Sequence, residues 1–276
     1  MCRLFLSINV KLDDITLMNF FTQSNKKANT PGLSNPLDSD YHLDGYGIFW
    51  LDDTNELALY KSAEPYILDY NFRGIFEQVV QSRFVIGHIR NIGKTSIGDP
   101  SVTNSHPFIC SHYLLAHNGF IKNFSQHKSQ ILDFISNKYI GKICGETDTE
   151  HLFYCLLTII DNLKFSHIED AYDSIELYQM AWEKLFGLFE INSIELVGNF
   201  IFSDMNKVMI VRYVSPNFSL SELDNTNNLN KSSKNYLPSL YYCSDVTNSR
   251  VLVCSEPVNL QYKLVEPNTF IIFDIN

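Results

Sequence analysis

The order of hydrophobic and polar positions along the chain predicts strands, then helices, then strands. Residues 3–10 alternate enough to form a strand, and the segment from Asp14 carries apolar residues at helical spacing behind an aspartate that can cap a helix. Helices are also predicted over about 73–82, 148–163 and 168–187. The other apolar runs predict strands at 44–50, 57–60, 84–90, 113–118, 195–202, 207–213, 239–244, 250–254 and 268–274.

One stretch differs in composition from the rest of the chain. Ser215 to Lys234 is rich in Asn and Ser, and we interpret about 215–238 as a polar surface insertion rather than an active-site lid. A length of 276 residues suits one or two domains. Since the pattern contains no internal repeat and no second functional unit, we predict one domain over 2–276.

Composition and charge narrow the classes of function. With 45% hydrophobic and 19% charged residues, the chain has ample material for a large core. Its formal net charge of -10 disfavours nucleic acid and anionic membrane surfaces as partners. The apolar start is too short for a signal peptide and no run is long enough to span a bilayer, so a cytoplasmic protein is expected. The six cysteines form no C-x-x-C pair, which favours reduced thiols.

Cys2 is the first residue that suggests chemistry. Removal of Met1 would give this cysteine a free α-amine beside its thiol, and such an amine, with a pKa of about 7.7–8.0, can take and return the thiol proton. A cysteine at the second position is by itself weak evidence, because it is more often incidental. Other residues have to support the assignment.

Further motifs follow Cys2 in a specific order along the chain. They are Asp44-Gly45-Tyr46-Gly47, His88-Ile89-Arg90, Asn104-Ser105-His106-Pro107, Ala116-His117-Asn118-Gly119, Gly145-Glu146-Thr147-Asp148-Thr149-Glu150 and Cys254-Ser255-Glu256-Pro257. Over nearly its whole length the chain resembles the class II glutamine amidotransferases. Within them it is similar to the short members of γ-glutamyl compound degradation and ergothioneine-type pathways. The resemblance implies an α+β fold, the four-layer αββα sandwich of N-terminal-nucleophile (Ntn) hydrolases with two mainly antiparallel sheets.

The resemblance implies that Asn118 and Gly119 stabilise the oxyanion of an acyl-transfer intermediate. Asparagine can offer a side-chain N–H, and glycine lets its backbone N–H approach a substrate without a Cβ in the way. In isolation the Asn-Gly dipeptide is also typical of a tight hairpin turn. We favour the oxyanion role because the family places these donors here.

Arg90 and Asp148 are the residues expected to bind the two ions of a glutamyl group. The guanidinium fork suits a carboxylate in bidentate geometry, and Asp148 would accept from the ammonium. Alternatively, Arg90 is an exposed charge at a strand end, and Asp148 caps a helix beginning near Thr149. Helix capping and substrate binding by Asp148 are compatible with each other.

The histidines and Tyr46 complete the candidate residues. The spacing of His88, His106 and His117 matches no zinc pattern, and the resemblance implies chemistry without a metal or other cofactor. His88 and His117 are interpreted as core residues, whereas His106, at the end of a loop from Asn91 that would close over substrate, is placed at the site. Tyr46 is expected to line the pocket near the nucleophile, with a core position as the alternative.

The predicted enzyme is therefore a cysteine-dependent amidohydrolase that cleaves the γ-glutamyl amide of glutamine or a γ-glutamyl compound. The small-molecule substrate is its expected partner, and a partner enzyme or a homo-oligomer stays open. An ammonia-supplying subunit of a larger amidotransferase, or a non-catalytic partner subunit, are the alternatives. The lack of a synthase domain on this chain favours γ-glutamyl hydrolysis, although fold analogy alone does not select a substrate.

Overall fold

The structure is a computed structural model of the 276-residue chain. It describes residues 2–10, 12, 14–23, 42–52, 54–92, 98–166, 174–218, 238–245, 247, 249–257 and 261–275. Most of the predicted polar insertion, residues 219–237, lies outside the described residues, as do residues 93–97 of the predicted closing loop. The prediction of a single domain with a surface insertion therefore stays a prediction.

Strands and helices follow one another largely in the predicted order. The described strands are β1 (Arg3–Ile8), β2 (Tyr46–Leu51), β3 (Leu57–Ser62), β4 (Phe84–Ile89), β5 (Phe108–Cys110), β6 (Tyr113–Ile121), β7 (Leu196–Ser203), β8 (Lys207–Val214), β9 (Tyr241–Asp245), β10 (Arg250–Cys254), β11 (Lys263–Leu264) and β12 (Thr269–Asp274). The described α-helices are α1 (Asp14–Thr22), α2 (Phe72–Gln81), α3 (Phe124–Asp133), α4 (Asn137–Ile140), α5 (Asp148–Phe165) and α6 (Ser174–Ile191).

The strands form two sheets. The larger has the order β11-β9-β10-β1-β4-β2-β3, and the smaller has the order β12-β8-β7-β6-β5. Each described strand pair is antiparallel, so the prediction of antiparallel sheets in an α+β fold is confirmed. β1, which follows Cys2, lies inside the larger sheet between β10 and β4.

Alternation of side chains along each strand divides the core into three apolar layers. Leu4, Leu6 and Ile8 of β1 pack with Leu114 and Ala116 of β6 between the two sheets. On the outer face of the larger sheet, strand residues pack against α1 and α2. Residues of the smaller sheet pack on their outer side against α3, α5 and α6. The layers therefore run helix, sheet, sheet, helix, as the resemblance implies.

Some elements differ from the sequence prediction for identifiable reasons. β1 ends at Ile8 because Asn9 adopts a left-handed φ of 52°, which takes the backbone out of the strand region. α3 was not predicted, since only Phe124 and Ile131 of its ten residues are buried and the hydrophobic pattern is weak. β5 has only three residues, too few for alternation to be visible. Among the described residues, no helix is both long and apolar enough to cross a membrane.

Three of the buried histidines lie close to one another, with the ring centroid of His106 at 4.0 Å from that of His88 and 6.5 Å from that of His117. His88 Nε2 and His106 Nδ1 are 2.8 Å apart, while His117 stacks on Phe200 with ring centroids 4.4 Å apart. Burial lowers the pKa of His88 and His106 well below its ordinary range, with Arg90 and the neighbouring imidazoles acting in the same direction. Burial also lowers the pKa of His117 to about 3. The core positions expected for His88 and His117 are found, and His106 joins them.

We expect these histidines to make stability depend on pH. In the unfolded chain a histidine binds a proton below about pH 6.5, whereas the buried neutral rings do not, so unfolding takes up protons and stability falls as pH drops through that range. In the His88–His106 pair one nitrogen must also accept, and protonation of it would break the bond. The melting temperature should therefore fall between pH 7.5 and 5.5, and less steeply in His106→Gln. His112→Gln, at an exposed histidine, is the control. Equal slopes of melting temperature against pH for the wild type and His106→Gln would contradict the expectation.

Candidate functional site

The side chain of Cys2 lies at the edge of the space between the two sheets. It precedes Leu4 by two residues and so shares the face that packs against the smaller sheet. Its side chain is half-buried, and the Asn91 backbone N–H donates to Sγ across 3.4 Å. Sγ in turn donates to the Asn91 carbonyl oxygen at 3.6 Å, so the backbone of Asn91 contacts the thiol through both of its polar groups.

Asn118 reaches the same space from the opposite sheet. It follows Leu114 and Ala116 on the inner face of β6 and is 2% exposed. Its side-chain amide lies within hydrogen-bond distance of Ser255 Oγ, 3.3 Å from Nδ2, and the same oxygen accepts from the Leu4 backbone N–H at 2.9 Å. One hydroxyl therefore joins Asn118 to the strand that carries Cys2.

Gly119 lies within β6, not in a turn, which excludes the hairpin alternative. Lys122 N donates to Glu195 O at 2.9 Å, so these two residues form a hydrogen-bonded pair of the β6–β7 ladder. Hydrogen-bonded and non-hydrogen-bonded pairs alternate along an antiparallel ladder, so Gly119 belongs to a non-hydrogen-bonded pair and its N–H points away from β7. On that side the pairing with β5 ends at Phe108, which is opposite Leu115. A Cβ on Gly119 would lie 2.1 Å from Val197 O, so the close approach of β7 also requires glycine.

Asp148 lies along the same edge of β6. Its Oδ2 accepts from Ile121 N at 2.8 Å, two residues or about 7 Å along the strand from Gly119. Its Oδ1 accepts from Thr149 N at 2.7 Å. Burial raises the pKa of Asp148, and these N–H groups oppose that effect. Helix α5 begins at Asp148 and is capped by Thr147, whose side chain accepts from Glu150 N, so the expected cap at Asp148 is wrong by one residue.

Arg90 follows β4 on the inner side and is 4% exposed, which excludes the alternative of a solvated strand-end charge. Its Nη2 donates to Gly98 O at 2.8 Å and its Nη1 to Asp99 O at 2.9 Å. Burial lowers the pKa of Arg90. The Cys2 thiol and the carboxyls of Asp44, Asp148 and Asp99 partly offset this by raising it. Arg90 is thus a buried cation held by the backbone carbonyls of Gly98 and Asp99.

Asn104 connects the segment that holds Arg90 to the segment that carries Asp148. Its Nδ2 donates to Asp99 O at 3.0 Å, the carbonyl that also accepts from Arg90. Its Oδ1 accepts from Glu146 N at 2.8 Å, just before the N-terminus of α5. The two charges expected to bind a glutamyl group are thus tied through one buried amide.

The other two predicted site residues lie differently. His106 is 6% exposed and hydrogen-bonded to His88, so its ring lies in the interior and the expected site position of His106 is corrected to a core position. Tyr46 shares a row across the sheet with Arg3 and Ile89, on the outer face. Its ring packs among aromatic side chains and its hydroxyl donates to Asp69 Oδ2 at 3.0 Å. The expected pocket-lining role of Tyr46 is therefore corrected to a core role, because strand alternation directs it away from Cys2.

Several residues of the site received no role from the sequence. Each lies in or beside one of the motifs, but only the fold shows what its side chain touches. Asp44, for example, accepts from the Ile92 backbone N–H at 2.7 Å and so holds the start of the loop after Arg90. The residues concerned are Arg3, Asp44, Asn91, Asn104, Ser255 and Glu256.

Comparison with known proteins identifies the family of the chain. The family model described as "Glutamine amidotransferases class-II" matches residues 1–224. The "Probable glutamine amidotransferase DUG3" of Saccharomyces cerevisiae is 28% identical over 188 residues, which are 62% of this chain and 52% of the yeast protein. A "Putative glutamine amidotransferase" of Haemophilus influenzae is 28% identical over 135 residues, 45% of this chain and 39% of that protein. The chain thus spans about half the length of the yeast relative that it matches.

Solved structures show the same fold at low sequence identity. A glutamine aminotransferase class-II domain protein from Silicibacter pomeroyi superposes with a TM-score of 0.60 at 20% identity, covering 99% of this chain and 95% of that one. The glutamine phosphoribosylpyrophosphate amidotransferase of B. subtilis gives a TM-score of 0.55 at 17% identity, covering 99% of this chain and 47% of that one. With a family model matching most of its length, the chain belongs to the class II glutamine amidotransferase family of enzymes.

Proposed function

We propose that this chain hydrolyses the γ-glutamyl amide bond of glutamine or a γ-glutamyl compound, with Cys2 as nucleophile after removal of Met1. The observation that carries the proposal is the hydrogen-bonded link between the two sheets. Asn118 reaches Leu4, two residues from the nucleophile, through the Ser255 hydroxyl. A nucleophile and an oxyanion donor have to meet at one carbonyl group, and this link brings their strands together.

In the proposed reaction the Cys2 sulfur attacks the γ-carbonyl carbon while its proton passes to the α-amine. The carbonyl oxygen becomes an oxyanion that accepts from Asn118 Nδ2 and the Gly119 N–H. Breakage of the C–N bond releases the amine, which takes its proton from the Cys2 α-amine, and leaves a γ-glutamyl thioester. Water then attacks the thioester, giving its proton back through the same amine, so that glutamate leaves and the thiol is restored.

The glutamyl head is proposed to lie between Arg90 and Asp148. The backbone carbonyls of Gly98 and Asp99 hold the guanidinium in a fixed orientation, where its charge attracts the α-carboxylate. Asp148, held by two backbone N–H groups near Gly119, would accept from the α-ammonium. Selection of a free glutamyl group needs both charges, because leaving either ion of the substrate unpaired in a buried site is costly.

A glutamine analogue that carries an electrophile at the γ-position tests the nucleophile. We expect one covalent adduct on Cys2, located by mass spectrometry of the digested protein, and none in Cys2→Ala. Cys144→Ala is the matched control, since Cys144 is the exposed cysteine among the described residues and should not affect labelling. An adduct on another cysteine, or a purified active chain that retains Met1, would refute the assignment.

Replacement of Asn118 tests the oxyanion donor. Removing one such donor typically lowers turnover by about 10²–10³, so we expect a loss of that order in kcat for Asn118→Ala with L-glutamine or a γ-glutamyl peptide as substrate. Asn192→Ala, which alters an asparagine at the end of α6 that bonds Gln130, should retain normal kcat. Normal turnover in Asn118→Ala would remove Asn118 from the mechanism.

The leaving group is tested by comparing substrates. Arg90 and Asp148 would contact only the glutamyl half of the substrate, which glutamine and glutathione share. Because the sequence resembles the short family members of γ-glutamyl compound degradation, we expect the purified chain to release glutamate from glutathione with the higher kcat/KM. The matched family model favours a second candidate, an ammonia-supplying glutaminase subunit. That candidate predicts a preference for glutamine and a rate that rises when cell extract supplies an acceptor enzyme, and this outcome would replace the first.

A further inference from the structure

Ser255 occupies the position where the nucleophile strand and the oxyanion residue meet. It follows β10 directly, is 2% exposed, and lies on the inner face two residues beyond Val253. Its backbone N–H donates to Leu4 O at 3.0 Å while its Oγ accepts from Leu4 N at 2.9 Å. These two bonds continue the β10–β1 pairing by one residue, toward Cys2.

The hydrogen-bond donors and acceptors around this hydroxyl determine the orientation of the Asn118 amide. Oγ accepts from Leu4 N, and its own proton needs an acceptor. Asn118 Oδ1 is buried and has no hydrogen-bond partner among the described residues, while Nδ2 lies 3.3 Å from Oγ. Oxygen and nitrogen of an amide occupy equivalent positions, so a half-turn of the group satisfies both: the Ser255 hydroxyl donates to Oδ1, and Nδ2 is presented on the far side.

The next residue, Glu256, is linked to the backbone of Cys2 through Arg3. Glu256 Oε1 is 2.7 Å from Arg3 Nη2, with both side chains buried. Arg3 Nη1 in turn donates to the Cys2 carbonyl oxygen at 3.2 Å. Of these two consecutive residues, Ser255 thus contacts Asn118 on the smaller sheet, and Glu256 is linked to Cys2 through Arg3. Both lie outside the residues 1–224 that the family model matches.

We infer that Ser255 is a positioning residue that holds the Asn118 amide with its oxygen toward the hydroxyl, so that Nδ2 faces the oxyanion. The inference rests on the proposed function and adds a residue to it. Ser255 touches no reacting atom; it acts only through Asn118. Loss of the hydroxyl leaves the amide free to turn its oxygen toward the developing negative charge, which repels it. The enzyme then stabilises the transition state less, whereas substrate binding, which depends on Arg90 and Asp148, is unchanged.

A double-mutant cycle tests the inference, with kcat and KM measured for glutamate release from L-glutamine. Ser255→Ala should lower kcat by about tenfold, the effect of one lost hydrogen bond, and leave KM unchanged. In the Asn118→Ala background the same change should have no further effect, because the group it orients is gone. The matched control is Ser203→Ala, which should retain wild-type kcat. Ser203 is a buried serine at the C-terminal end of β7, and its hydroxyl donates to Lys207 O.

Independent losses that multiply in the double variant would overturn the inference, as would normal kcat in Ser255→Ala. Should the alanine variant fail to fold, Ser255→Cys fills nearly the same volume with a weak donor and supplies the same cycle. Failure of the proposed function is recognised separately. In that case Cys2→Ala or Asn118→Ala retains turnover, whatever the result at Ser255.

Discussion

The packing of two antiparallel sheets on a shared apolar layer is the interaction on which the candidate site depends. Leu4 and Leu6 of β1 face Leu114 and Ala116 of β6 across this layer. Because side chains alternate along a strand, Cys2 and Asn118 continue these same faces, and the Ser255 hydroxyl links Asn118 to Leu4, two residues from Cys2. A shift of one residue in either strand would turn one of them to the opposite face. The apolar contacts therefore set the register of the site.

At that end of the layer, buried polar groups replace apolar packing. The hydroxyl of Ser255 contacts both the amide of Asn118 and the backbone of β1. Burial of polar groups costs free energy unless they are hydrogen-bonded, so such a network tolerates few alternative arrangements. The same logic applies on the neighbouring side, where Asn104 ties the carbonyl that holds Arg90 to the turn before α5. Rigid connections of this kind suit a site that stabilises charge by orientation.

How far the sequence predicted the structure depended on the strength of the local pattern. The helix predicted over 73–82 is found as Phe72–Gln81, and the strand at 250–254 is found with the same bounds. The helix predicted over 168–187 is described from Ser174 to Ile191, with 167–173 outside the described residues. α3 and β5 escaped prediction because one has few buried residues and the other is very short. Tyr46 was misplaced because proximity in a motif does not say on which face of a strand a side chain lies.

By itself, the sequence determined the family, the alternating order of strands and helices, and the set of motifs to which Cys2, Arg90, Asn118, Gly119 and Asp148 belong. These depend on residue types and on spacing along the chain, which a sequence displays directly. Only the tertiary structure decided that Tyr46 lies in the core, that Thr147 rather than Asp148 caps α5, and that Ser255 connects Asn118 to β1. Leu4 and Ser255 are 251 positions apart, and Asn118 and Ser255 are 137 apart. Contacts at such separations follow from strand register and sheet packing, which no local pattern contains.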